Sequence, residues 1–223
     1  MEEALSSKMD IKAFIFDMDG MLFDYERIVQ RSWEMAGDEL GIPHMGEVIY
    51  HTLGMNRTGR NEYFRKYIRE DFPFEEFGKL TRDNFWKIVD KEGLPLKKGT
   101  KELLAYGKAQ GYKMAVATSS SREYAMGNLI RAGIDSYFDS VVCGDMVKKA
   151  KPDPEIYQKA CESLGIQPEY CMAFEDAPGG ILSAHQAGMH VIMVPDLVQP
   201  TQEIRELTYR VCDSLADVIG ILN

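Results

Sequence analysis

The chain is expected to fold as a parallel α/β sheet covered on both faces, with one all-helical block inserted after its first strand. Three observations carry that expectation. Short apolar runs of strand length alternate with amphipathic helical segments from Leu94 onward. A long stretch with helical spacing and no convincing strand lies between Tyr25 and Gly93. Polar residues of chemically useful kinds follow the ends of the predicted strands, where ligands bind in sheets of this type.

The first strand is the apolar run Ile11 to Phe16, rich in β-branched and aromatic residues. Val29, Trp33, Ala36 and Leu40 then recur at three- and four-residue spacing until Gly41 and Pro43 end the helix. Further helices are expected over Gly46 to Leu53, Gly59 to Arg69 and Phe74 to Val89. The last two gather aromatic side chains, among them Tyr63, Phe64, Phe77 and Phe85, on single faces. This gives a core of residues 1–24 and 94–223 with an insertion of residues 25–93.

Alternation resumes with a helix from Thr100 to Gln110 and a strand from Tyr112 to Thr118. Ser120-x-x-Glu123 matches a capping box for the next helix. A strand over Ser140–Cys143 follows. Asp153 at the N-cap and Pro154 at the first helical position then open a helix that Gly165 closes. Cys171–Phe174, Val191–Val194 and a short edge segment, Tyr209–Cys212, supply the remaining strands. Asp213 or Ser214 caps a last helix, Leu215 to Leu222. Right-handed crossovers between such units make the sheet parallel.

With 223 residues, 45% of them hydrophobic, the chain suits one large domain or a core plus a smaller module. Folding at this length buries roughly 70% of the unfolded surface, so no covalent staples are needed. A net charge of −9 argues against a nucleic-acid partner, whose footprint would be a basic face. The four cysteines are widely spaced and read as small core residues in a reducing compartment. No apolar run reaches membrane length, and the polar leader Met1 to Asp10 does not read as a signal peptide. A soluble, cytoplasmic protein is expected, without a membrane or nucleic-acid partner and monomeric or weakly dimeric.

Asp17 and Asp19 end the first strand on one side of it, and Gly20 allows a sharp turn after them. Like charges so close need a cation or a proton between them. Thr118 and Ser119 end the second strand, and Glu175 and Asp176 the fourth. Asp17, Asp19 and Asp176, with Glu175 beside them, offer hard oxygens suited to Mg²⁺. Thr118 and Ser119 offer a hydroxyl and turn amides to phosphate oxygens, and Lys151 can neutralise a carboxylate and a phosphate together. A carboxylate held by metal and lysine can act as nucleophile, and one two residues on as general acid and base. The four histidines, His44, His51, His185 and His190, show no metal-ligand spacing.

Asp-Met-Asp-Gly-Met-Leu-Phe-Asp from Asp17, Ala-Thr-Ser-Ser from Ala117, Lys-Pro-Asp-Pro from Lys151 and Phe-Glu-Asp-Ala-Pro-Gly-Gly from Phe174 resemble four ordered motifs of the haloacid dehalogenase superfamily. The insertion is similar to the helical cap of its β-phosphoglucomutase-like phosphatases. The stretch from Phe174 to Asp196 resembles the pseudouridine 5'-phosphatase group. The resemblance implies a Rossmann-like core and Mg²⁺-dependent hydrolysis of a small phosphorylated metabolite through an aspartyl-phosphate. Asp17 would be the nucleophile. Asp19 would be acid and base, its backbone carbonyl on the metal. Thr118 and Lys151 would hold the phosphoryl group, with Ser119 and Gly20 beside it, and Asp176 would ligate the metal, Glu175 directly or through water. Arg57, in Gly-Met-Asn-Arg, matches a residue that in the mutases grips the second phosphate, and with Asn56 is expected to meet substrate. Tyr25 departs from the usual Ser or Thr, and Val29 stands where mutases carry His. The alternatives are a sugar-phosphate mutase and a non-catalytic module that binds phosphorylated metabolites.

Overall fold

The computed structural model describes residues 10–52, 55, 57–196 and 199–222. They divide into two compact units, one running to Leu22 and resuming at Leu96, the other Phe23–Pro95.

The first unit is built on a six-stranded parallel sheet in the order β3-β2-β1-β4-β5-β6. The strands are β1 (Ala13–Phe16), β2 (Lys113–Ala117), β3 (Ser140–Val142), β4 (Cys171–Glu175), β5 (His190–Met193) and β6 (Arg210–Val211). The chain lays β1, β2 and β3 outward in one direction, then returns to place β4 on the other side of β1. Strand order therefore reverses between β1 and β4, the place where parallel sheets open a crevice at their carboxyl ends.

A strand buried on both faces reads as an unbroken apolar run, and every residue of Ala-Phe-Ile-Phe in β1 is fully buried. Alternation sends Phe14 and Phe16 to one face, where both meet Phe174 of β4. Ala13 and Ile15 point to the other face and join a cluster with Ile156, Tyr157, Ala160 and Ile181. The small residues Ala115 and Ala173 flank Ile15 in register and leave room for α7 (Glu155–Leu164) and α8 (Pro178–Gln186). The four cysteines are buried and free, as small core residues.

Several ends differ from the sequence reading by a residue or two. The helix after β2 is capped by Ser121, whose hydroxyl accepts from Tyr124 N, and not by Ser120. Ser120 is withdrawn because its hydroxyl is bonded elsewhere. Helix α7 begins one residue later than expected, with Pro154 at its N-cap, while Asp153 Oδ1 accepts from Glu155 N. β4 extends to Glu175, and Ser214 donates to Asp217 at the head of the final helix, Leu215–Leu222.

The second unit holds four helices: α1 (Tyr25–Glu39), α2 (Met45–His51), α3 (Arg57–Tyr67) and α4 (Phe74–Glu92). Among its described residues there is no strand between Tyr25 and Gly93. Asp24 caps α1 by accepting from Arg27 N. The expected helix to Leu53 ends at His51, and Leu53 lies outside the described residues. Helix α3 starts and stops two residues earlier than its aromatic periodicity suggested, and α4 runs three residues further. Trp33, Phe64 and Phe77 meet edge to face at 5.5–5.9 Å and form the centre of this unit's core.

Candidate active site

The carboxyl ends of β1, β2 and β4 bring polar groups of the sheet unit to one place. Asp17 continues β1 and donates its backbone N–H to Phe174 O of β4. Thr118 follows β2 and is tied in the same way to Val142 O of β3. Glu175 is the last residue of β4, and Asp176 begins the turn into α8. Adjacent strands in register deliver side chains far apart in sequence to one edge.

Lys151 is the hub. Its Nζ lies 2.6 Å from Asp17 Oδ1 and 2.7 Å from Glu175 Oε1, and it donates also to Ala117 O at 3.0 Å. Tyr157 of α7 donates its hydroxyl to the same Glu175 oxygen at 2.5 Å and lies 3.3 Å from Lys151 Nζ. Burial pulls the Lys151 ammonium towards neutrality, but Asp17 and Glu175 outweigh it and hold the pKa above the ordinary value. Burial, with Glu175 and Asp17 nearby, pushes the Tyr157 hydroxyl well up, so it remains a donor.

Asp17, Glu175 and Asp176 each present a carboxylate oxygen within 4.8 Å of the others. Three carboxylates against the one ammonium of Lys151 leave two negative charges in a largely buried site. The imbalance raises pKa values. Burial pushes Asp17 well above the carboxylate range, Lys151 pulling it down and Glu175 and Asp176 pushing it up. Burial, then Glu175 and Asp196, raise Asp176 to about 7. A divalent cation on hard oxygens would restore the balance, so the donor set fits Mg²⁺. The backbone leaves room for it. Gly20, with φ +86°, lies so near Asp176 that a Cβ there would stand 2.4 Å from Oδ2.

The Asp19 carboxylate is not in that cluster. Its Oδ2 accepts from Ser120 Oγ at 2.6 Å and lies 3.5 Å from Thr118 Oγ1, while Oδ1 is buried without a partner among the described residues. Thr118 Oγ1 in turn accepts from Ser120 N at 3.1 Å. Ser119 is exposed, and its carbonyl lies where a Cβ on Gly144 would stand 2.2 Å away.

The sheet edge thus gathers Asp17, Asp19, Gly20, Thr118, Lys151, Glu175 and Asp176. Arg57 opens α3 in the helical unit, and its side chain and Asn56 lie outside the described residues. Three residues here escaped the sequence reading. Ser120 anchors Asp19, and a run of three serines gives no means of picking it out. Tyr157 lies in the buried apolar face of α7, where spacing alone marks it as core, although a buried tyrosine requires a partner for its hydroxyl. Lys97, which precedes the helix Thr100–Gln110, forms a tight ion pair with Asp196 beside Gly20, and no motif marks it.

A family model described as haloacid dehalogenase-like hydrolase matches residues 14–194. Among curated relatives, the phosphorylated carbohydrates phosphatase of Thermotoga maritima is 32% identical over 182 residues, covering 82% of this chain and 84% of its own. A Drosophila melanogaster protein named as a probable pseudouridine-5'-phosphatase is 30% identical over 209 residues, covering 91% and 89%. A crystal structure from Thermotoga maritima, provisionally named a β-phosphoglucomutase, superposes with a TM-score of 0.77 at 27% identity, covering 95% of this chain and 98% of that one.

Proposed function

The chain belongs to the haloacid dehalogenase-like hydrolase family, and on that premise we propose that it is a Mg²⁺-dependent phosphatase of small phosphorylated metabolites working through an aspartyl-phosphate. Its relatives are named phosphatases, one of them for phosphorylated carbohydrates, and a sugar phosphate is the first substrate class to test. The single observation that carries the reading is the clamp of Lys151 on Asp17 and Glu175 beside Asp176.

Asp17 attacks phosphorus and forms the acyl-phosphate bond as the ester oxygen leaves. Its Oδ1 is held by Lys151, which leaves Oδ2 to attack. Asp19 gives a proton to the leaving oxygen, then takes one from the water that cleaves the aspartyl-phosphate, returning Asp17 and releasing phosphate. The bond from Ser120 Oγ orients Asp19 for both transfers. Thr118, Lys151, Ser119 and Gly20 bind the phosphoryl oxygens. Asp17, Asp176, the Asp19 carbonyl and Glu175, directly or through water, would hold Mg²⁺, which when bound neutralises charge on the transferring group. Lys151 and Tyr157 already engage Glu175 Oε1, and this favours the water-mediated role for Glu175. We read residues 1–24 and 94–223 as the catalytic core and 25–93 as the cap domain, with Asn56 and Arg57 as substrate contacts.

Likeness to a structure provisionally named a β-phosphoglucomutase gives the mutase a hearing, but Val29 occupies the position of the mutases' cap histidine. Phosphate release from a panel of sugar phosphates, with and without Mg²⁺, decides between them. Steady release is expected. Isomerisation of a 1-phosphate to a 6-phosphate without net release would overturn the hydrolase in favour of the mutase.

A further inference from the structure

The helical unit carries a half-open cavity of ≈ 690 Å³, within the range of about 300–1,000 Å³ usual for small-molecule sites. Trp33, Phe64 and Phe77 supply its apolar wall, and Arg60, Asn61, Glu75, Thr81 and Arg82 its polar side, two guanidiniums against one carboxylate. The guanidinium of Arg60 lies 5.9 Å from the centre of the Trp33 ring. Among the described residues neither Arg60 nor Arg82 has an ion-pair partner. Thr81 Oγ1 is buried and finds no hydrogen-bond partner among the described residues, which is rare for a buried hydroxyl.

A second observation concerns Gly78, which lines the same cavity from the body of α4. Glycine inside a helix costs about 0.5–1 kcal/mol relative to alanine. Gly37 of α1 and Gly46 of α2, by contrast, are crowded by their neighbours. A Cβ on Gly37 would stand 2.4 Å from Ile42 O, and one on Gly46 2.9 Å from Glu34 Oε2. At Gly78 nothing lies closer than the Arg82 side chain at 3.6 Å. The protein's own packing therefore gives no reason for this glycine, whereas a cavity that must stay open does.

We propose that this cavity is a ligand site for a small planar organic anion. Its ring would lie against Trp33, Phe64 and Phe77. Its charged group would be held by Arg60 and Arg82, with the Thr81 hydroxyl completing the contact. Aromatic walls accept a flat apolar face, and a guanidinium accepts a carboxylate or sulfonate through paired N–H donors. The site involves none of the residues at the sheet edge, so the proposal is independent of the phosphatase reading.

The test uses the full chain and 2-naphthoate as probe, followed by calorimetry and by quenching of tryptophan fluorescence. Saturable binding at one site per chain is expected, with the neutral 2-naphthamide about tenfold weaker because it forgoes the charge-assisted bonds. Gly78→Leu, which fills the space, should weaken 2-naphthoate at least about tenfold while keeping a native circular dichroism spectrum. Arg60→Gln should erase most of the preference for the anion. Asp17→Asn should bind the probe like the parent, which separates this site from the sheet edge. Absence of binding at millimolar probe, or binding unchanged by both Gly78→Leu and Arg60→Gln, overturns the proposal.

Discussion

In the sheet unit, Gly20 and Gly180 lie so close to carboxylates that no side chain fits. A Cβ on Gly180 would stand 1.9 Å from Glu175 Oε1. In the helical unit, a Cβ on Gly78 would meet only the Arg82 side chain, at 3.6 Å. The same residue type therefore does different work in the two units. At the sheet edge it lets backbone approach a charged cluster, and in α4 it leaves a cavity unfilled. The cores differ likewise. The sheet unit surrounds a buried hub of one lysine and several carboxylates, whereas the helical unit's centre is aromatic and edge to face. Mutations in the first should be felt through charge and chemistry, and mutations in the second through packing and space.

The largest expected effect is on chemistry. Asp17→Asn removes the carboxylate proposed to attack while keeping its shape, and phosphate release should fall by about 10³-fold or more, with the fold intact by circular dichroism. Activity at the parental rate would remove Asp17 from the role of nucleophile.

Lys151→Met should come next, because it strands Asp17 and Glu175 as buried carboxylates. Breaking a buried pair by removing one partner costs about 3–5 kcal/mol. Denaturant unfolding of the metal-free protein measures the loss, and a change below about 1 kcal/mol would place the clamp in solvent. Gly180→Ala should cost about 1–3 kcal/mol by pushing on the Glu175 carboxylate. Its effect should shrink when Glu175 is shortened to Ala, and that coupling in a double-mutant cycle is the informative quantity.

How much of this was readable before the fold was known follows from the same comparison. The apolar runs that became β1, β2 and β4, and the acidic and hydroxyl residues just past them, stand together in short motifs, so Asp17, Asp19, Thr118 and Asp176 could be named from sequence. Partnerships that cross the sheet could not. Lys151 reaches Glu175 and Tyr157 reaches the same oxygen only once α7 lies on β2 and β3. A single residue of turn geometry decided that Ser120 meets Asp19 and Ser121 caps the next helix. In the helical unit the aromatic face was legible from periodicity. The cavity beside it was not, because an empty volume leaves no pattern in a sequence.

A pH experiment sharpens the charge side. Burial and neighbouring carboxylates raise Asp176 to about 7, far above the value of 3.8 for a free aspartate. A carboxyl with a raised folded-state pKa contributes stability that is fully present below the unfolded pKa and is lost as pH rises through the folded value. The metal-free protein should therefore lose melting temperature between about pH 4 and pH 7, by about 2–4 °C per kcal/mol lost in a chain of this size. Saturating Mg²⁺ should abolish that decline, since metal and proton compete for the same carboxylates. A metal-free melting temperature flat across this range would show that Asp176 is ionised without help.

The smallest effect concerns Gly78. Alanine at this position meets only the Arg82 side chain at 3.6 Å, so the substitution adds a methyl group without a clash. Helix propensity then dominates, and Gly78→Ala should stabilise the chain by about 0.5–1 kcal/mol in denaturant unfolding. The sign is the point of contrast. The same change at Gly180 destabilises, and at Gly78 it stabilises. A destabilising Gly78→Ala would mean that the backbone there is needed for packing, and the helical unit's glycine would then belong with those of the sheet edge.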